Sequence, residues 1–328
     1  MFWQRAWYRS GLHPLLVLLL PLHALFVAMS TVRRWAYRAS ILASYRAPVP
    51  VIVVGNISVG GTGKTPVTEA LVQWLKQQGY SPAIISRGYG AQGPFPQIVT
   101  ASATAQSVGD EPKLLAQRTG VPLAVSPNRQ HAIELILQTF PATDIILSDD
   151  GLQHYRLARD IEIAVVDGMR GLGNGWRLPL GPLREPAVRL QQVDLVVQNG
   201  LSEQNYGWSF TLKPQRWKRV IDNVEVDQPL GDSVAIAGIG HPQRFFDTLK
   251  QQQLTLKRCI EFADHHPFHA GDFENIESSM NVLMTEKDAA KCRTFAQENW
   301  FYLPVSAEFS DEFWQQLQQR LHGIACKE

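Results

Sequence analysis

The 328-residue chain is expected to be an α/β protein: a P-loop, doubly wound parallel sheet, a second, smaller α/β lobe and an N-terminal membrane-associated helix. Three observations predict this. Apolar runs alternate with helical stretches over most of the chain, the order that builds parallel sheets through right-handed crossovers. One such run, "VPVIVVGN" at 49–56, passes straight into the glycine-rich "ISVGGTGKTP". And residues 12–29 hold the longest apolar run, interrupted by His13, Pro14, Pro21 and His23 and flanked by Arg5, Arg9, Arg33, Arg34 and Arg38.

Taken in order, the N-terminal run comes first. A span needs about 20 apolar residues, and basic residues on both flanks blur any orientation rule. A signal peptide would need a small-residue cleavage site, which is poorly defined here. The better reading is a monotopic helix in the membrane interface, with Trp3, Trp7, Tyr8, Trp35 and Tyr37 at headgroup depth. The alternative is a buried core helix.

The 49–56 run is apolar throughout, as a strand covered on both faces requires. The glycine-rich segment departs from the strict G-x-x-x-x-G-K-[ST] phosphate loop only in having Ser58 at the first glycine. Gly60, Gly61, Thr62 and Gly63 would turn backbone N–H groups toward phosphates. Lys64 adds a point charge, Thr65 an oxygen for Mg²⁺, and the following helix its dipole. Val67, Ala70, Leu71, Trp74 and Leu75 recur at helical spacing until Gly79. Further strands are expected at "PAIISRG", "PLAVSP", "DIILSDD", "IEIAVVDG" and "VDLVVQNG", with the helix "NRQHAIELILQTF" among them.

A phosphate loop needs an acidic partner for its metal. Asp149 and Asp150 end an apolar strand where such a carboxylate is expected, and Asp167 is a weaker competitor. Asp110 in "VGDEPKLLAQRTG" stands where an N-cap would, with Pro112 just inside the helix. His265, His266 and His269 crowd one loop, but no cysteine pattern accompanies them, so zinc is not expected.

Around 205 the texture changes to the alternating, aromatic "WSFTLKPQRWKRVIDNVEV" before a smaller βα pattern resumes. The expected organisation is an N-terminal segment at 1–45, a P-loop core at 46–205, linker strands at 206–230, and the smaller lobe at 231–328, ending in "DEFWQQLQQRL". A net charge of +1 gives no basic field for nucleic acid, and no nucleic-acid or obligate protein partner is expected. Cys259, Cys292 and Cys326 are too few for a disulfide framework, consistent with a reducing compartment.

"GNISVGGTGKTP", "SRGYG", "GDEPKLLA", "SDDGLQH", "LPLGPLREP", "DHHPF" and "TEKDAAK", in this order, resemble the tetraacyldisaccharide 4′-kinases across nearly the whole chain. The resemblance implies ATP-dependent phosphorylation, with Mg²⁺, of an acylated glucosamine disaccharide 1-phosphate at its 4′-hydroxyl, giving lipid IVA. It implies peripheral attachment to the cytoplasmic face of a bacterial inner membrane. It further implies that Lys64 and Thr65 hold the triphosphate and Mg²⁺, with Asp149 and Asp150 as the metal-associated pair. Asp110 matches a catalytic aspartate and His265 its partner, with His266 in reserve; closure of the two lobes would assemble that dyad. Arg87, Tyr89, Arg129, Gln153, His154, Arg184 and Glu185 match disaccharide-phosphate contacts, and Thr285, Lys287 and Asp288 a loop beside the nucleotide base. A nucleotide-dependent switch protein would instead carry an N-K-x-D base reader, and "TEKDAAK" is not one.

Overall fold

The computed structural model describes residues 6–9, 11–202, 204–264 and 266–325. The chain divides into two compact units, one comprising Met1–Leu212 with Ala307–Glu328 and the other Lys213–Ser306.

The first unit is built on a nine-stranded sheet. Its parallel strands are β1 (Val51–Gly55), β2 (Pro82–Ser86), β4 (Leu123–Val125), β5 (Ile145–Asp149), β6 (Ile161–Asp167), β7 (Leu195–Asn199) and β8 (Trp208–Pro214), in spatial order β4-β2-β5-β1-β6-β7-β8. The short β3 (Gln97–Ile98) pairs antiparallel with β4 at one edge, and β15 (Val305–Phe309) lies beside β8 at the other. The β-branched run of β1 suits this central place because both faces are covered. Ile52 and Val54 face a core shared with Leu71 and Leu75 of helix α2 (Lys64–Gln77), while Val51 and Val53 face Ala132, Ile133 and Ile136 of α5 (Arg129–Thr139). The chain leaves β1 toward β2 but leaves β6 toward β7, so neighbouring strand ends part and leave a crevice at the C-terminal edge.

The second unit has its own six-stranded sheet, in order β10-β9-β14-β13-β11-β12. Here β11 (Ser233–Ala237), β12 (Leu256–Glu261), β13 (Asn281–Thr285) and β14 (Trp300–Leu303) are parallel. The pair β9 (Trp217–Arg219) and β10 (Glu225–Val226) is antiparallel. Val234 and Ile236 pack on one face, Ala235 and Ala237 on the other.

The expected domain boundaries are corrected at both ends of this unit. Residues 206–230 are not a linker: β8 continues the first sheet and β9–β10 belong to the second. The C-terminal helix α8 (Asp311–Ala325) does not belong to the smaller lobe. It returns to the first unit, because its apolar stripe of Phe313, Leu317 and Leu321 fills the same core as Leu71 and Trp74. Trp314 stacks on Trp74 with ring centroids 5.3 Å apart.

At the N-terminus a 3₁₀ turn (Pro14–Leu19) leads into α1 (Leu20–Arg38); together they run 25 residues, and their most apolar 18-residue window has a mean hydropathy of 2.3 and is only 6% buried. That excludes the buried-core alternative. His23 Nδ1 lies 3.0 Å from the carbonyl of Arg177, and Arg38 donates to Gln192 Oε1 at 2.8 Å. Polar side chains therefore dock the helix, while Leu18, Leu22, Leu25, Met29, Val32 and Trp35 are exposed. Two aromatics expected at headgroup depth are held inward instead. Trp7 Nε1 donates to the Pro179 carbonyl (3.0 Å), and the Tyr8 hydroxyl donates to that of Val59 beneath the Arg170 guanidinium. Tyr37 faces Tyr155, and Trp3 lies outside the described residues.

Candidate active site

Because β1, β2 and β5 are parallel, the segments after them emerge at one edge of the sheet. After β1, Ser58 is buried and bridges Leu183, and the amide of Val59 donates to Pro182 O at 2.8 Å. This extended stretch explains why serine can replace the first glycine of the loop. The left-handed turns fall later, at Gly60 (φ 109°) and Gly63 (φ 97°). A Cβ on Gly63 would meet Asn199 Nδ2 at 2.7 Å, so that position combines a positive φ with a close approach. Asn199 donates to Thr62 O at 3.2 Å, and Asn56, wholly buried, donates to Gly60 O and Thr62 Oγ1 at 3.3 Å each. Both asparagines hold the loop open from beneath; neither was singled out from sequence. Gly61 has open space around its Cα, Thr65 is buried, and α2 begins at Lys64.

Asp149 and Asp150 are adjacent in sequence but sit in opposite surroundings. Asp150, with φ 47°, meets Lys64 Nζ at 3.6 Å and receives Arg184 Nη1 at 3.3 Å on both oxygens. Burial pushes its carboxyl upward, but the charges of Lys64 and Arg184 outweigh that and hold it below the usual range. Asp149 is buried, and its Oδ1 has no hydrogen-bond partner among the described residues. Burial, with the negative charges of Glu111 and Asp150, pushes its carboxyl up to about 6 against Lys64 and Arg129. Asp167 is otherwise engaged: its Oδ1 accepts the amides of Met169 and Arg170 and closes a turn.

Asp110 is not the N-cap. Gly109 takes that place with φ 95°, and Asp110 is the first residue of α4 (Asp110–Thr119). A Cβ at 109 would meet the Tyr89 carbonyl at 3.0 Å, so only glycine lets this helix start so near the loop after β2. Arg118 of α4 pairs with Glu69 of α2 at 3.0 Å, which fixes the two helices to each other. Glu111, inside the quoted "GDEP", went unassigned in the sequence reading, although its charge reaches both strand-end aspartates.

The remaining expected contacts divide by burial. Arg87 and Tyr89 are exposed on the loop after β2. Arg129 is buried, donating to Ser126 O (3.1 Å) and Asp149 O (3.0 Å), which shapes the strand end, while its Nε has no hydrogen-bond partner among the described residues. Glu185 is also buried, accepting from the Tyr155 hydroxyl and from Gln153 Nε2. Gln153 further donates to Asn56 O and accepts from Arg184 at 3.3 Å. Burial, then Arg129 and Arg159, hold the His154 imidazole down at about 4, so it is neutral near pH 7.

In the second unit, Thr285 ends β13 and caps α7 (Glu286–Cys292), accepting from the Asp288 amide. Asp288 is wholly buried, its Oδ2 accepting from Thr285 Oγ1 (2.7 Å) and the Gly238 amide (3.0 Å), while its Oδ1 has no hydrogen-bond partner among the described residues. Lys287 is half-buried on the same turn. His265 lies outside the described residues. His266 contacts Asp272 Oδ2 at 3.0 Å between the rings of Phe262 and Phe268, a role internal to its unit.

The loop fits a triphosphate and the strand end fits Mg²⁺. An orphaned, buried Asp149 oxygen and the helix-start Thr65 are hard oxygen donors of the kind Mg²⁺ takes alongside phosphates and waters. Among the described residues no three His, Cys, Asp or Glu side chains form a ready cage, which suits an ion that arrives with its own phosphate and water ligands.

Comparison with known proteins agrees. Residues 15–322 match the family model for LpxK, tetraacyldisaccharide-1-P 4′-kinase. The tetraacyldisaccharide 4′-kinase of Psychromonas ingrahamii is 51% identical over 311 residues, 94% of this chain and 96% of that protein. That of Idiomarina loihiensis is 48% identical over 312 residues, 95% and 94% respectively. The crystal structure of "apo" form LpxK from Aquifex aeolicus in complex with ATP matches with a TM-score of 0.76 at 28% identity, covering 94% of this chain and 99% of that one.

Proposed function

The chain belongs to the tetraacyldisaccharide-1-phosphate 4′-kinase family; it is an ATP-dependent kinase of the 4′-hydroxyl in lipid A biosynthesis, and we propose that the strand-end cluster of its first unit carries the transfer. The observation that carries the proposal is the Lys64–Asp150–Arg184 ion cluster at the phosphate loop beside the unpartnered Asp149 oxygen.

Phosphoryl transfer asks for alignment and for charge stabilisation on the moving group. Backbone amides at 60–63 and Lys64 grip the β- and γ-phosphates, with Asp150 holding Lys64 in place beforehand. Asp149 and Thr65 would hold Mg²⁺, which when bound would supply neutralisation of charge on the phosphate oxygens. Glu111 adds negative charge to that site. Asp110 accepts the proton of the 4′-hydroxyl, because an alcohol is a poor nucleophile while it keeps its proton. Arg184 and the exposed Arg87 and Tyr89 receive the disaccharide phosphate, Arg184 with a fork able to grip two oxygens. Arg129 and Glu185 position these groups from behind.

The exposed stripe of α1 rests in the interface of the bilayer that holds the substrate's acyl chains, on the cytoplasmic face where ATP is made. What supports this is the inversion of its packing, apolar side outward along a whole helix.

Incubation with γ-labelled ATP and tetraacyldisaccharide 1-phosphate puts label on the lipid, with GTP and a deacylated sugar as controls. Label on the deacylated sugar at equal efficiency, or none on the lipid, would overturn the reading.

A further inference from the structure

We propose that the cleft between the C-terminal half of α1 and the segments at 155–159 and 189–194 binds the phosphate of a bilayer phospholipid headgroup, gripped by Arg34 and Arg38. The proposal rests on the interfacial placement of α1 given above. The cleft measures about 330 Å³ and is walled by Tyr37, Tyr155 and Arg159, all within the first unit.

Its charges do not balance. The two carboxylates lining it are already engaged: Glu162 pairs with Arg159 at 3.0 Å and with Arg189, and Asp194 pairs with Arg320 at 2.9 Å. Among the described residues Arg38 reaches the neutral amide oxygen of Gln192 and no carboxylate. Arg34 Nη1 is buried with no hydrogen-bond partner among the described residues. Arg34 also opposes Arg177, whose guanidinium is shifted down by burial and by that like charge. Four residues apart on one helix, Arg34 and Arg38 share a face and can close on one group from two sides.

The chemistry that satisfies two guanidiniums without a facing carboxylate, one of them with an orphaned nitrogen, is a phosphate, with oxygens spaced for forked N–H donors. Glu162 keeps such an anion out of the depths of the cleft and at its mouth. There the same helix exposes Val32 and Trp35, so an acyl chain attached to that phosphate continues along α1's apolar side. This makes the occupant a lipid, not free phosphate.

The test is partition of the full-length chain onto phosphatidylcholine vesicles containing roughly 30 mol% phosphatidylglycerol. Arg34→Gln with Arg38→Gln lowers partition about 10-fold or more, the scale of two charges near an anionic surface. Arg34→Lys with Arg38→Lys keeps the charge but loses the forks, and lowers partition about 3-fold. The matched control, Arg9→Lys with Arg33→Lys, leaves it unchanged. A parental result for the lysine pair at 34 and 38 would mean diffuse attraction and overturn the cleft; the lysine pair also carries the test if the glutamine pair fails to fold. A raised KM for the lipid substrate in phospholipid-free micelles, with vesicle partition unmoved, would assign the arginines to substrate and overturn the proposal too. Failure of the interfacial placement itself is read separately, from Leu25→Gln with Met29→Gln: if that pair partitions normally, the placement of α1 falls first.

Discussion

Around the end of β5 the first unit buries Asp149, Arg129, Glu185 and Arg189, each 5% exposed or less. Along α1 the same unit leaves Leu22, Leu25, Met29 and Val32 more than half exposed. Both regions reverse the usual partition of a folded chain, in opposite directions. Arg129, Glu185 and Arg189 are tied by hydrogen bonds or ion pairs into a frame around one loop, which offsets much of their cost inside the protein, while an oxygen of the Asp149 carboxyl is left unpartnered at its centre. Among the described residues nothing covers α1's outward surface, and on the placement proposed above its counterpart is the bilayer. The difference yields separable behaviour: damage to the strand end should show in turnover and not in lipid partition, and damage to α1 the reverse.

The largest effect is expected from Asp110→Ala. Losing the proposed general base should lower turnover by about 10²–10⁴-fold at saturating lipid and ATP. Vesicle partition of the same variant should equal that of the parent. Near-normal turnover would remove Asp110 from the mechanism.

A second variant sharpens the contrast by using the other terminal helix. In α8 the apolar stripe points inward, with Leu317 fully buried. Leu317→Ala should cost about 2–5 kcal/mol in denaturant unfolding, as a core cavity does. A loss under about 1 kcal/mol would mean that α8 is not part of the first unit's core.

That helix also marks how far the sequence was legible. The phosphate loop, its strand and the acids after β5 could be read because short-range chemistry dictates them: glycines at positive φ, an apolar run, a carboxylate at a strand end. The return of α8 to the first sheet could not, since helical periodicity says that a stripe is buried and not which core buries it. Arg129, Glu185 and Asp288 carry the same lesson at the level of side chains. A charged residue beside a motif reads as a ligand contact, and a motif does not announce the hydrogen bonds that each of these also makes to the fold. Asn56 and Asn199 escaped notice because an asparagine under a loop has no spacing rule of its own. Glu111 stood in plain view and lacked only the knowledge that α4 starts against the loop after β2.

Asp149 offers a smaller effect with a defined pH dependence. Its carboxyl is raised from an ordinary 3.8 to about 6 in the folded chain. The folded state therefore holds more protons than the unfolded one between those values, and stability falls as pH rises through that window. Without Mg²⁺ and nucleotide, Asp149→Asn should be more stable than the parent at pH 8, by roughly 1–3 kcal/mol. The gain should vanish below about pH 4, while Mg²⁺-dependent turnover is lost at every pH. A variant destabilised equally at pH 4 and pH 8 would show that Asp149 is structural.

The smallest effect on folding is expected where the exposed surface is largest. Leu25→Gln with Met29→Gln removes two outward apolar side chains from α1, and neither packs in a core. Stability in detergent should change by no more than about 0.5 kcal/mol, as for surface substitutions generally. Partition onto vesicles should fall about 10-fold or more, because those side chains leave water only in the bilayer. Turnover on substrate in detergent micelles should stay near the parental value. If these substitutions instead unfolded the chain, the stripe would be a protein contact, and the contrast between α1 and the strand end would reduce to two ways of filling one core.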